Sequence, residues 1–419
     1  MIKLIEKIEG EAKLNFSFKE RKIDFVEIEF MSTRNIETIL QGKSPLDALV
    51  INPRVCGICG HAHLIATVQA LEDCYDELQI SNKAKTIREL TLNFELIQNH
   101  FKWFYLTILP LFVKQQHILK ATYTSQFMAK AIALFGGQYP HTSYAVVGGV
   151  TCDITDIDII KLQNYIDETI KFFEDNIVMG DSEKFLGCDN IEKILNKSGD
   201  LPDILNTVIN NGWINYGKSY DRFIVFGENS YFKKGKSLKT RLNKSVSIKS
   251  VQEFDNRGSY AKNVSYKDKY YEVGPLSRAM VNKTLLIKDA HRKYGDSIFS
   301  RILARVCEIS QLLQHSKKLI SNLDLSEPSY IKPSVDILKL NASGESAVEA
   351  ARGSLIHKVE IENGLIKKYD IITPTQWNLS NGTRDNQGIS QKAMVGLGSA
   401  KTAELVFKSF DVCSVCTTH

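Results

Sequence analysis

Several things are missing from this 419-residue chain. No run of eighteen or more apolar residues occurs, so no segment reads as a membrane-spanning helix. The opening Met1-Ile2-Lys3-Leu4-Ile5-Glu6 lacks the basic-then-apolar layout of a secretory signal, which makes the cytoplasm the expected location. One-sided charge is absent too. Lys and Arg total 53 against 48 Asp and Glu, a net +5, and Lys233-Lys234-Gly235-Lys236 reads as solvated loop rather than a nucleic-acid footprint. No tandem repeat is visible. Four of the eight cysteines, Cys74, Cys152, Cys188 and Cys307, stand singly. They read as buried free thiols and give neither a disulfide framework nor an iron–sulfur spacing. A redox site in this chain would therefore need an electron relay from elsewhere.

The other four cysteines form two hooks at opposite ends. Arg54-Val55-Cys56-Gly57-Ile58-Cys59-Gly60-His61-Ala62-His63 lies near the start, and Asp411-Val412-Cys413-Ser414-Val415-Cys416-Thr417-Thr418-His419 closes the chain. A C-x-x-C sets two thiolates on one turn of backbone, and two such hooks make a four-sulfur site for a soft or borderline metal. A structural zinc would use the same donors. Zinc hooks usually staple small domains, whereas almost the whole chain separates these, and 43% apolar content suffices for a large core without a staple. Spacing alone leaves both readings open and favours a redox or catalytic metal.

Alternation over residues 2–30 predicts strands. Short helices fit 35–41 and 45–49. Pro53 breaks the chain before the first hook, so Cys56 and Cys59 open a helix over about 61–75, whose N-terminus suits thiolates. Ser81 caps a long helix carrying Ile87, Leu90, Phe94, Ile97, Phe101, Phe104 and Ile108, which Pro110 ends. Helices also fit 114–135, 153–175, 296–321 and 400–408. Residues 217–273 read as a peripheral β-rich excursion, and 346–373 as a strand pair around Glu362-Asn363-Gly364. The fold class is α+β: one large domain over 1–419, long buried helices carrying the metal site, β elements at its periphery.

The two hooks resemble the paired signatures of the large, catalytic subunit of nickel–iron hydrogenases. Further motifs recur in the family's order: Ile8-Glu9-Gly10, Arg34-Asn35-Ile36-Glu37, Gly136-Gly137-Gln138-Tyr139-Pro140-His141, Tyr271-Glu272-Val273-Gly274-Pro275-Leu276, Glu349-Ala350-Ala351-Arg352-Gly353 and Pro374-Thr375-Gln376-Trp377-Asn378. The resemblance implies an oxidoreductase that splits or forms dihydrogen heterolytically. Cys56 and Cys413 would be terminal on nickel, with Cys59 and Cys416 bridging to an iron that carries cyanide and carbon monoxide. It further implies Cys413 as first proton acceptor and Glu9 as the next, where Glu9 would otherwise read as a surface carboxylate. Arg352 would hang over the open site, otherwise reading as a surface ion pair. Thr375 would donate to a cyanide, otherwise reading as a turn cap, and His63 would orient a bridging sulfur. Glu37, the Ile371 carbonyl and His419 would hold magnesium. Expected partners are an iron–sulfur small subunit, in a heterodimer, and maturation proteins that insert the metals; export alongside a signal-bearing small subunit is the alternative to the cytoplasm. Large subunits of this kind often carry an extension cut after the final histidine, so the chain stopping at His419 is either mature or made without one. A hydrogen sensor, and a metal-stapled scaffold akin to respiratory-complex subunits, are the other functional readings. His61, His100, His141 and His357 receive no role. Departures from the family pattern fall at Glu11, Asn99, Ala351 and Val412.

Overall fold

Apolar alternation near the N-terminus builds a sheet. In the computed structural model, which describes residues 2–5, 12–31, 33–113, 117–227, 229–232, 236–239, 242–256 and 259–411, strands β1 (Ile2–Ile5), β2 (Ala12–Lys19) and β3 (Lys22–Phe30) pair antiparallel in that order. Leu14 and Phe16 of β2 and Val26, Ile28 and Phe30 of β3 turn inward. They share an apolar cluster with Leu379, Ile389, Met394, Ala403 and Phe407 from the C-terminal helices.

Four helices follow: α1 (Ile36–Leu40), α2 (Pro45–Ile51), α3 (Gly60–Glu72) and α4 (Asn82–Lys102). Ser81 Oγ accepts the Ala84 amide at 3.0 Å and starts α4, satisfying one of the helix's orphan donors. Ile87, Leu90, Phe94, Ile97 and Phe101 are fully buried along it, and each large apolar side chain contributes about 1.5–3 kcal/mol. Their partners are the helices Ile118–Gly136 and Ile298–Ser321. Pro110 does not end this run. A π turn over Trp103–Ile108 leads into a further helical turn, Leu109–Phe112, with Pro110 near its start, where a missing N–H is tolerated.

A three-stranded antiparallel sheet covers α3: Ala342–Ala350, Gly353–Glu362 and Leu365–Ile372. The turn between the last two has Asn363 and Gly364 at φ of 53° and 73°, the left-handed pair of a two-residue hairpin. The first strand was not expected in full, because it is rich in small residues instead of alternating apolar ones. Packing explains the composition: a Cβ on Gly344 would lie 2.1 Å from the Ala70 carbonyl oxygen of α3. The stretch 217–273 is also less peripheral than its polarity suggests. Ile224, Phe226, Val264, Tyr266, Tyr271 and Val273 are buried around Trp377.

Charged side chains tie the interior together. Arg278 donates Nε and Nη2 to the two Glu308 carboxylate oxygens at 2.7 and 2.6 Å, and Nη1 to Glu349 at 3.0 Å. Arg301 grips Glu272 at 2.9 and 2.8 Å, and Arg88 grips Glu72 twice at 2.8 Å. All seven of these groups are buried or nearly so. Paired, hydrogen-bonded charges are the form in which a core tolerates them.

Candidate metal centre

The N-terminal hook is held by backbone geometry. Pro53 lies in a 3-10 turn, Asn52–Val55, that delivers Cys56 in extended conformation, and Cys59 caps α3. Gly60 follows because a Cβ there would fall 2.2 Å from the Pro53 carbonyl oxygen. Both sulfurs are buried. Cys56 Sγ accepts the Ile58 and Cys59 amides at 3.4 and 3.3 Å.

Two amides in the first turn of α3 go to a carboxylate on α4. Glu95, on α4, accepts from His61 N at 2.9 Å and Ala62 N at 3.0 Å. Burial pushes its carboxyl up to about 7 although these two bonds favour the anion. Four residues along, Asn99 donates Nδ2 to the Ile58 carbonyl at 3.1 Å. The hook is thus clamped to one face of α4 by Glu95, which no motif marks, and by Asn99, which the sequence shows only as a departure from the family pattern.

Arg352 occupies the tip of the two-residue turn joining the strands that end at Ala350 and begin at Gly353. It is buried, not a surface ion pair. Its Nε donates to the Asp411 carbonyl at 3.0 Å and its Nη2 to Asp411 Oδ1 at 3.4 Å. Arg305 Nη1 reaches Asp411 Oδ2 at 2.7 Å, so two guanidiniums hold one carboxylate. Thr375 sits in the first turn of the Pro374–Leu379 helix, which starts in a reciprocal Thr373/Gln376 capping box.

Cys59, His63, Arg352 and Thr375, scattered over more than 300 residues of sequence, line one cavity together with Ala350, Leu355 and Pro374. Its volume is about 10 Å³, room for one water-sized body. Broader clefts of about 700 and 750 Å³, one beside Glu72 and Glu345, the other beside Lys83 and Tyr330, contain none of these groups.

Glu37 is buried on α1, where Oε1 accepts the Ile371 amide at 2.7 Å and Lys262 Nζ stands 3.8 Å from Oε2. The carboxylate and the Ile371 backbone are therefore neighbours. Glu9, Cys413, Cys416 and His419 lie outside the described residues. Among the described residues no group of three His, Cys, Asp or Glu could hold a metal ion.

Three histidines left without a role are buried. His61 Nε2 meets Thr91 Oγ1 at 2.9 Å, and burial pulls the ring down to about 3. His100 contacts Glu308 at 2.8 Å and Arg305 at 3.1 Å; burial outweighs the Glu308 bond and holds it at about 4, hence neutral. His357 lies against His63 and is pushed down by burial and by that neighbour. Of the lone cysteines, Cys74, Cys188 and Cys307 are buried and Cys152 is half-buried; all four are free.

The model of the nickel-dependent hydrogenase family matches residues 34–111 and 111–419. The chain belongs to that family. It is a hydrogenase large subunit, an oxidoreductase acting on dihydrogen. The periplasmic [NiFeSe] hydrogenase large subunit of Desulfomicrobium baculatum is 25% identical over 99% of this chain and 93% of its own length. The coenzyme F420 hydrogenase subunit alpha of Methanothermobacter thermautotrophicus is 24% identical over 92% and 85%. The reduced Ni-Fe-Se hydrogenase of D. vulgaris Hildenborough superposes with a TM-score of 0.84 at 21% identity, covering all of both chains. The α+β architecture is thus that of solved hydrogenases, and in this chain all four hook positions are cysteine. The buried Cys56 and Cys59 sulfurs, with Cys56 accepting two amides, fit a sulfur-ligated nickel, and the cavity that Cys59 lines is shared with Arg352 and Thr375.

Proposed function

We propose that Cys56, Cys59, Cys413 and Cys416 together hold nickel and an iron bearing cyanide and carbon monoxide. The observation that carries this reading is the cavity shared by Cys59, His63, Arg352 and Thr375. When bound, such a group supplies Lewis-acidic, thiolate-ligated metals at which dihydrogen is polarised and split heterolytically. Around it the chain's own residues act. Cys413 would take the proton on its sulfur and Glu9 would receive it next, carrying it away from the site. Arg352 contributes a permanent positive charge in a fixed fork. Thr375 would donate its hydroxyl hydrogen to a cyanide, and His63 would donate a ring N–H to a ligand sulfur. Asp411, pinned by Arg305 and Arg352, precedes Cys413 by two residues, a reach of at most about 7 Å. That anchor supports the convergence of the two hooks. Glu37, the Ile371 carbonyl and His419 form the magnesium site, a hard-oxygen environment apart from the terminal imidazole.

Electrons leave through an iron–sulfur small subunit. Support comes from the missing cluster motif and from exposed apolar residues just ahead of the first hook, Ile39 on α1 and Leu46 and Val50 on α2. No helix among the described residues is long and apolar enough to cross a membrane; the proposed location is the cytoplasm, with maturation proteins inserting the metals. Metal analysis and infrared spectroscopy test the reading. One nickel and one iron per chain with cyanide and carbon monoxide bands are expected, and Cys→Ser at any of the four positions should abolish loading. One zinc and no such bands would refute it.

A further inference from the structure

Behind His63 runs a row of hydrogen-bonded side chains that no motif announces. His63 Nδ1 lies 3.1 Å from His357 Nε2, and His357 Nδ1 lies 2.8 Å from the Tyr369 hydroxyl. Thr67 closes the row. Its hydroxyl gives its hydrogen to the His63 carbonyl at 2.7 Å and receives the Asn52 side-chain amide at 2.8 Å. The Tyr369 oxygen is 3.4 Å from that same Thr67 oxygen. All five side chains are at most 1% exposed.

We propose that Tyr369 and His357 are positioning residues that fix the tautomer of His63, leaving its only hydrogen on Nε2. A neutral imidazole has one donor and one acceptor nitrogen, so each contact in the row dictates the next. The phenol has a single hydrogen and two places to put it. One is an imidazole nitrogen at 2.8 Å; the other is a hydroxyl oxygen at 3.4 Å that already accepts from Asn52. The nitrogen is nearer and the stronger base, so Tyr369 donates to His357 Nδ1. His357 then carries its hydrogen on Nε2 and donates to His63 Nδ1. His63 in turn carries its hydrogen on Nε2, on a ring that lines the same cavity as Cys59. The reverse order would strand the phenol hydrogen on the long contact.

None of the five side chains meets solvent, so the row is assigned no part in carrying protons. It orients one ring. Its consequence for the metals rests on the function proposed above. A metal-ligating thiolate gains from an N–H and is repelled by a lone pair, so under that reading the fixed tautomer would stabilise charge on a ligand sulfur beside His63.

The test is long-range ¹⁵N–¹H correlation spectroscopy on the full chain labelled at its nine histidines, recorded without metal and after loading, with His63→Gln assigning the signals. His63 should show an unprotonated Nδ1 and a protonated Nε2 in both forms. Tyr369→Phe keeps the ring packing and loses the donor, so His63 Nδ1 should move to an averaged position between the two tautomers. His357→Gln, whose amide accepts on one side and donates on the other, should retain the fixed state; His357→Leu should lose it, and this pair replaces Tyr369→Phe if that variant does not fold. In the loaded enzyme, loss of the fixed tautomer should shift the carbon monoxide band to lower wavenumber. A protonated Nδ1 on wild-type His63, or His63 signals unmoved by both Tyr369→Phe and His357→Leu, would overturn the proposal. Because the nitrogen shifts are read without metal, a failure of the metal assignment leaves this test standing.

Discussion

Asp411→Asn probes the joint between the described core and the second hook. The substitution keeps the shape of the side chain and the backbone carbonyl that Arg352 Nε contacts at 3.0 Å. It removes the charge that faces Arg305 at 2.7 Å and Arg352 at 3.4 Å. Burial already draws Arg305 down to about 10, and Asp411 is the largest influence opposing that fall, against the neighbouring Arg352 and Arg278. Without it, two buried guanidiniums face each other across an amide. Removing one partner of a buried pair costs about 3–5 kcal/mol, and an isosteric amide that can still accept a hydrogen bond belongs at the lower end. For a chain of this length that corresponds to a fall in Tm of roughly 3–6 °C. Nickel content should fall with it, since Asp411 leads into Cys413. Thermal denaturation and metal analysis of the purified chain read both effects. The penalty is an uncompensated charge, so adding Arg305→Met should return part of the lost stability, a coupling visible in a double-mutant cycle. An unchanged Tm with full nickel content, or strictly additive effects, would refute the anchoring argument.

Glu95 should make stability depend on pH. Its folded-state carboxyl sits at about 7 against an ordinary 4.5, so the stability it permits is fully present below pH 4.5 and is lost as pH rises towards 7, by roughly 3 kcal/mol. Glu95→Gln should flatten the fall in Tm between pH 5 and pH 8, and an unaltered slope would show that another group titrates. Thr375→Val should leave nickel and iron in place while shifting a cyanide band; identical spectra would remove the hydroxyl from that role. Glu9→Gln should load normally yet lower turnover and hydrogen–deuterium exchange by orders of magnitude, whereas near-wild-type exchange would direct attention to Glu11.

Long helices were readable because their apolar residues repeat at three- and four-residue steps, as from Ile87 to Phe101, and Ser81 was readable as a cap because it precedes that run. Pro110 misled because it stands at the start of a new helical turn, where proline is tolerated, and the π turn over Trp103–Ile108 that leads into it leaves no local pattern. The Ala342–Ala350 strand was only half visible, since its small residues answer to the surface of α3 and not to a period of two. At the site, the motifs singled out Cys59, His63, Arg352 and Thr375, which the fold brings to one cavity. Their supports were hidden. Glu95 and Asn99 are a carboxylate and an amide four apart on a helix otherwise recognised by its apolar stripe. His357 and Tyr369 occupy two strands of a hairpin and acquire meaning only when that hairpin lies on α3. A chemical group that acts through another residue leaves no spacing rule in the chain.

The guanidinium–carboxylate pairs of the interior have a bearing on how this protein should respond to ionic strength. Counter-ions screen charges that they can surround, over a Debye length of about 8 Å at physiological salt, and buried pairs feel much less of this. Arg278 with Glu308 and Glu349, Arg301 with Glu272, and Arg88 with Glu72 are all withdrawn from solvent. Added potassium chloride should therefore leave the melting of the isolated chain nearly unchanged. A marked salt effect on the assembled enzyme would then have its origin in the surface that meets the partner, where ions still have access.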